Sequence, residues 1–203
     1  MKEDILKTAI DLFLNYGFKS VTMDDIANTL GISKKTIYQY FDNKTVLVEE
    51  AVMLMFQIIS SGIEDIRDQE KNPIEEIYEI KQFLMKNLKD EKSSPQYQLE
   101  KYYPKIFHDI KEKQLCVMED CVSCNIERGK KMGLFRKDLS VDFISKIYFS
   151  CMMALKDKSL FPLEHFSMKS LMNNYLEYHL RGICTQKGLD YLNTYLKINQ
   201  NNN

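Results

Sequence analysis

Hydrophobic positions recur along this chain at spacings of three and four, and no stretch keeps the strict alternation of a strand. Ile5, Leu6, Ala9, Ile10, Phe13 and Tyr16 share one face of a first helix, which Gly17 ends. Thr22, followed three residues later by Asp25, is close to a capping box. A second helix therefore starts there, carries the short stripe Ile26, Ala27 and Leu30, and closes at Gly31. Ser33 can cap a third helix, in which Ile37, Tyr40 and Phe41 share one face while Lys34, Lys35, Tyr38 and Gln39 fall largely elsewhere. Asn43 suits the cap of a fourth helix from Lys44, whose stripe Leu47, Ala51, Met55, Ile58 and Ile66 is sustained over more than five turns.

Proline and glycine punctuate the remainder. Asn72-Pro73 and Ser94-Pro95 each place a capping residue before a favoured first helical residue, and Pro104 marks a further break. A long helix is expected from about 105 to 131, then a connection through Gly133 and Arg136-Lys137-Asp138, then a helix capped by Ser140. Two apolar helices follow, at about 141–156 and 168–184. Gly188 is expected to interrupt a last short segment ending near Leu196, and the polar tail 199–203 to be disordered. The expected fold is all-α with about nine or ten helices: a three-helix helix-turn-helix head over 1–46, and a helical bundle over 47–198 for ligand binding and dimerisation.

Composition narrows the picture. With seven Gly and four Pro in 203 residues, collagen-like and Pro/Gly-rich disordered chains are excluded. No stretch reaches the roughly 18 uncharged apolar residues of a membrane helix, and Met1-Lys2-Glu3-Asp4 has no apolar signal region behind it, so a cytoplasmic location is expected. Five Cys in a chain of this size fit reduced thiols better than a disulfide framework. A net charge of -1 excludes a general basic coat for nucleic acid. The positive charge is local: Lys34, Lys35 and Lys44 stand against Asp42 alone over residues 31 to 45.

That local charge lies in the informative stretch, Thr22 to Leu47, where two short helices meet across Gly31-Ile32-Ser33 at helix-turn-helix spacing. Glycine at the first turn position lets the chain reverse, so the second helix of the pair projects its polar side outward, and a major groove about 12 Å wide admits such a helix. The run Gly31-Ile32-Ser33-Lys34-Lys35-Thr36-Ile37-Tyr38-Gln39-Tyr40-Phe41-Asp42-Asn43-Lys44 resembles the recognition segment of the tetracycline-repressor (TetR/AcrR) family of bacterial transcriptional regulators. Ala9-Ile10-Asp11-Leu12-Phe13, Tyr16-Gly17-Phe18 and Val21-Thr22-Met23-Asp24-Asp25-Ile26-Ala27 resemble its first two helices. The resemblance implies phosphate contacts from Thr22 and Lys44. It implies groove contacts from the segment capped by Ser33, through Lys34, Lys35, Thr36 and Tyr38, with Gln39 and Tyr40 at the sugar-phosphate edge or a base. Lys35 and Thr45 depart from the family's commoner residues, and a long cation at 35 would alter base preference.

One recognition helix covers few base pairs, so two half-sites about 34 Å apart, arranged by a two-fold dimer, are expected. The helices at about 141–156 and 168–184 are the candidates for that homodimer. The resemblance also implies a pocket for a small apolar or amphipathic effector that releases a repressor from a palindromic double-stranded DNA operator. Phe83, Tyr103, Phe107, Met118, Cys121, Phe149 and Met152 are the candidate lining residues, although ordinary core packing explains them equally well. Cys116, Cys121 and Cys124 imitate part of a ferredoxin spacing, but in a continuous helix 116 and 121 stand about 140° apart, which favours plain thiols over a cluster. A redox or metal protein on a helical body, and an architectural DNA binder without effector, remain the alternatives. No glycine-rich phosphate loop, nucleophile elbow or His-Glu metalloprotease signature points to an enzyme, and no cofactor or metal is expected.

Overall fold

The computed structural model describes residues 1–88, 95–157, 159–162 and 164–200, the last without its side chain. Among the described residues there are ten helices: α1 Lys2–Tyr16, α2 Met23–Leu30, α3 Lys34–Tyr38, α4 Lys44–Arg67, α5 Pro73–Leu88, α6 Pro95–Tyr102, α7 Pro104–Lys131, α8 Val141–Ala154, α9 Met168–Ile183 and α10 Gln186–Gln200. The all-α expectation holds, and there is no named strand among the described residues. An isolated bridge joins Phe135 and Cys184. Ser94, the expected cap of α6, lies outside the described residues, as do 201–203.

The chain forms two compact units, 1–61 with 87–114, and 62–86 with 115–203. This differs from the expected division at 46/47. The first unit has one core, in which Ile5, Ala9, Phe13, Ile26, Ile37, Phe41, Leu47 and Val48 are joined by Leu99, Ile106 and Ile110 from α6 and the start of α7. A stacked pair, Phe13 and Phe18, lies inside it with ring centroids 4.8 Å apart, and Tyr103 meets the Phe18 edge at 6.3 Å. The division moves because residues some fifty positions beyond the head complete its core.

In the second unit Ile74, Tyr78, Ile126, Leu134, Phe135, Leu176, Leu180 and Leu192 form the main core. Glu76, 1% exposed, is buried in the same unit, as are the polar residues Asn125, Ser145 and His179. Asn125 Nδ2 donates to Glu76 Oε1 at 2.7 Å and to the Pro73 carbonyl at 3.0 Å, and the Arg128 guanidinium donates to the second Glu76 oxygen. A buried carboxylate persists only when so supplied.

Two sequence expectations are corrected here, and a third observation concerns α4. Gly188 does not break the last helix: α10 runs through it, and glycine stands there because a β-carbon would lie 2.2 Å from the Leu134 carbonyl oxygen. Asn199 and Gln200 belong to α10 and not to the tail expected from 199, whose remaining residues lie outside the described ones, and the Asn199 side chain donates to the Tyr195 carbonyl. Finally, α4 is long and apolar enough to cross a membrane by length and composition, with mean hydropathy 1.6 over eighteen residues. Only the adjacent pair Glu49-Glu50 keeps its apolar run from being uncharged. Its first half is core: Leu47, Val48, Ala51 and Val52 are buried in the first unit.

Candidate nucleic-acid interface

The presentation of α3 begins with the caps around it. The Thr22 hydroxyl and amide both donate to Asp25 Oδ2 at 2.7 Å, and the Asp25 amide returns a bond to Thr22 Oγ1 at 3.2 Å. These two donors hold the Asp25 carboxyl below the usual carboxylate range. This capping box fixes the start of α2. At its end Gly31 takes φ 65, a left-handed conformation, and the chain reverses with the Ile32 amide bonded to the Ala27 carbonyl at 3.0 Å. Ser33 Oγ accepts the Thr36 amide at 3.1 Å and lies 2.8 Å from Thr36 Oγ1. Ile37, with no exposed area, pins α3 to the core, and Phe41, 1% exposed, anchors the segment after it.

Because α3 is held by its apolar side, its other side is turned to solvent. Ser33, Lys34, Lys35, Tyr38, Gln39 and Tyr40 are exposed, and Thr36 is half-buried. Tyr38 is 44% and Tyr40 40% exposed. That corrects the sharing of one packed face by Ile37, Tyr40 and Phe41. The helix ends at Tyr38, the Tyr40 amide turns back to the Ile37 carbonyl at 3.0 Å, and the tighter turn swings Tyr40 outward.

The candidate cations differ in their engagement. Lys34 Nζ pairs with Asp24 at 2.7 Å, which holds its ammonium above the ordinary lysine range. Lys35 is exposed, and among the described residues it has no ion-pair partner. Lys44, expected at a phosphate, donates from its Nζ to the Phe18 carbonyl at 2.6 Å and approaches that of Lys19 at 3.5 Å. Burial lowers the Lys44 pKa, opposed by the Asp25 charge. Two of three ammonium protons thus clamp the turn between α1 and α2. The same turn is held by Gln98 of α6, whose Oε1 accepts the Lys19 amide at 3.0 Å. Sequence reasoning passed over Gln98 and Lys19 because they stand 79 positions apart and no local pattern couples them.

The seven candidate effector-pocket residues divide between the units. Tyr103 and Phe107 pack against the first unit's core, where they complete the head. Phe83, Met118, Cys121, Phe149 and Met152 lie in the second unit. Met118 packs against the cluster of Met152, Leu155, Leu171 and Met172, and the Phe83 ring fills the space beside Gly62. None of the seven lines the cavity of about 310 Å³ in the first unit, whose walls are Glu49, Val52, Met53, Ile106, Asp109, Ile110, Glu112 and Lys113.

Cys116, Cys121 and Cys124 all sit on the uninterrupted α7. No loop wraps around them. Cys121 is buried, and burial pushes its thiol up to about 12, away from the thiolate that redox chemistry or metal ligation needs. Cys116 and Cys124 are exposed, with Cys124 Sγ 3.8 Å from Asp120 Oδ1. Among the described residues no group of three or more His, Cys, Asp or Glu could hold a metal ion.

Residues 5–51 match the model of the family described as bacterial regulatory proteins, tetR family. Over 80 residues the chain is 32% identical to the biofilm operon icaADBC HTH-type negative transcriptional regulator IcaR of Staphylococcus aureus, a match covering 39% of this chain and 43% of that protein. Over 91 residues it is 32% identical to IcaR of Staphylococcus epidermidis, covering 44% and 46%. The match thus spans less than half the length of these relatives. In fold the chain is similar to a TetR-family transcriptional regulator from Agrobacterium tumefaciens, with a TM-score of 0.73 at 17% identity, covering 91% of this chain and 97% of that one.

Proposed function

Because residues 5–51 match the model of the tetR family of bacterial regulatory proteins, we propose that this chain is a member of that family and a dimeric, ligand-responsive DNA-binding repressor of transcription. One observation carries the reading: α3 is anchored by Ile37 and leaves Lys34, Lys35, Tyr38, Gln39 and Tyr40 open to a major groove. Ser33 and Thr36 order its first turn, and Thr22 at the start of α2 meets a phosphate. Lys35 reads base edges, since its ammonium is not committed elsewhere. Lys34 exchanges Asp24 for a phosphate or base on binding. Lys44 acts chiefly by holding the turn that precedes α2, with one proton left for a phosphate. The similarity to IcaR, a negative transcriptional regulator, supports repression as the direction of control.

The dimer forms through α8 and α9. Its support is apolar surface that each helix leaves uncovered: Phe143 is 59%, Ile147 43% and Tyr178 78% exposed. The effector is a small apolar or amphipathic molecule that binds the body, in the part that holds Phe83, Met118, Cys121, Phe149 and Met152. It releases the operator by favouring one head spacing, through a coupling of about 1 to 3 kcal/mol. The protein acts in the cytoplasm, needs no cofactor and is not an enzyme.

The test is a footprint on the promoter next to its own gene, with the full chain. Protection of a palindromic site supports the proposal. Uniform, non-specific binding refutes it. A thermal-shift screen of small molecules addresses the effector, since a ligand at a hundred times its Kd stabilises by about 2.7 kcal/mol.

A further inference from the structure

We propose that Lys19, Tyr97, Lys101 and Tyr102 form a second contact with duplex DNA, on the phosphate backbone flanking the operator; this rests on the reading of the first unit as a DNA-binding head. Lys19 stands on the turn between α1 and α2, and Tyr97, Lys101 and Tyr102 stand on α6. Lys19 Nζ lies 5.2 Å from the centroid of the Tyr102 ring. Lys101 Nζ lies 5.7 Å from the same ring and 5.6 Å from that of Tyr97, whose hydroxyl it also approaches at 3.4 Å. Both rings are open to solvent, Tyr97 at 59% and Tyr102 at 39%.

Cation–π contact explains why this cluster suits a polyanion. An ammonium over a ring face is positioned without being neutralised, so its protons still point outward to a phosphate oxygen. Three lysines of the first unit set the contrast: Lys2 is paired with Glu50, Lys7 with Glu3 and Lys34 with Asp24. Among the described residues neither Lys19 nor Lys101 has a carboxylate ion-pair partner, and the acid of α6, Glu100, stands alone against them on that helix. At this cluster two ammoniums stand against the single carboxylate of α6. Exposed tyrosines beside such cations add hydroxyl donors for phosphate.

The patch is tied to the operator-facing elements by hydrogen bonds. The Lys19 amide is held by Gln98 of α6, the Lys19 carbonyl is approached by Lys44 at the start of α4, and Thr22, the cap of α2, follows three residues later. One stiff turn therefore joins α6 to the start of α2. Its partner is the sequence-independent backbone rather than a base edge.

The experiment uses the full chain and two duplexes from the protected promoter site, one trimmed to the palindrome itself and one extended by about ten base pairs on each side. Affinities of the wild type and of the double variant K19A/K101A are measured between about 50 and 200 mM salt. Each phosphate neutralised adds about 0.9 to the salt slope, so two per protomer, four per dimer, weaken wild-type binding to the extended duplex on the order of a hundredfold more over that range than variant binding. On the trimmed duplex the two proteins should coincide, and K19R/K101R should restore the wild-type slope. Matching thermal midpoints show that the variants are folded. Equal slopes for wild type and K19A/K101A on both duplexes overturn this second contact while leaving the operator reading intact. A wild type that protects no site overturns both.

Discussion

Gly31 allows a clean test of how the helix-turn-helix is built. It closes α2 at φ 65, and a β-carbon added there meets no atom within 4 Å. Space therefore does not oppose a substitution; backbone conformation does. Holding an L-residue in the left-handed region costs roughly 1–2 kcal/mol. Gly31→Ala should lose that much stability, and Gly31→Asn less, since Asn tolerates the region through local hydrogen bonds. With a urea dependence of about 2 kcal/mol per molar, the far-UV circular dichroism midpoint should fall by about 0.5–1 M for Ala at fixed protein concentration. Against a total stability of about 5–15 kcal/mol the variant stays folded in buffer, so operator affinity should remain within about twofold. Gly17→Ala provides the comparison: φ is 84, and the new carbon would lie 2.2 Å from the Gln98 side-chain nitrogen, so its midpoint should fall further. An unchanged midpoint for Gly31→Ala, or a large affinity loss without a midpoint change, would refute this reasoning.

Other expectations follow from the same structure. Thr22→Ala removes one side of the capping box and should cost about 1 kcal/mol in a denaturation curve. Glu76→Ala leaves Asn125 and Arg128 facing a vacated buried site and should cost about 3 kcal/mol or more; a loss below 1 would show the network to be dispensable. His179 is 8% exposed, and burial depresses its pKa to about 4 from 6.5, so above pH 6.5 both folded and unfolded forms are neutral there. As pH falls below 6.5 the unfolded chain takes up a proton that the folded chain refuses until about 4, so stability should drop by about 3 kcal/mol across that window, and His179→Phe should flatten the slope. Tyr178→Asp together with Phe143→Asp should convert a dimer to monomer in analytical ultracentrifugation if α8 and α9 form the interface.

Local chemistry accounts for what was legible in the sequence. Thr22, Ser33 and Ser140 each accept the amide three residues ahead, and Pro73, Pro95 and Pro104 each open a helix, as their residue types imply without tertiary context. The exposed side of α3 was legible for the same reason, because Ile37 fixes which side must be buried. Other features depend on residues far apart in the chain. Leu99 and Ile106 join a core built mostly from the first fifty residues, and Gly188 reads as an interruption until the Leu134 carbonyl is seen against it.

Lys44 shows how the two kinds of information meet. A lysine at a helix start, in a basic stretch, reads as a phosphate ligand by position alone. Yet its ammonium reaches the Phe18 carbonyl at 2.6 Å, in a turn that only the folding of α1 against α4 brings within range. An engaged cation can still serve DNA indirectly, by fixing the turn from which α2 departs and on which Lys19 stands. Lys44→Met would then lower affinity for every sequence by loosening that turn, while Lys35→Ala would alter the ranking of sequences. Competition binding against a panel of single-base operator variants separates the two, and a reordered ranking for Lys44→Met would return that residue to direct readout.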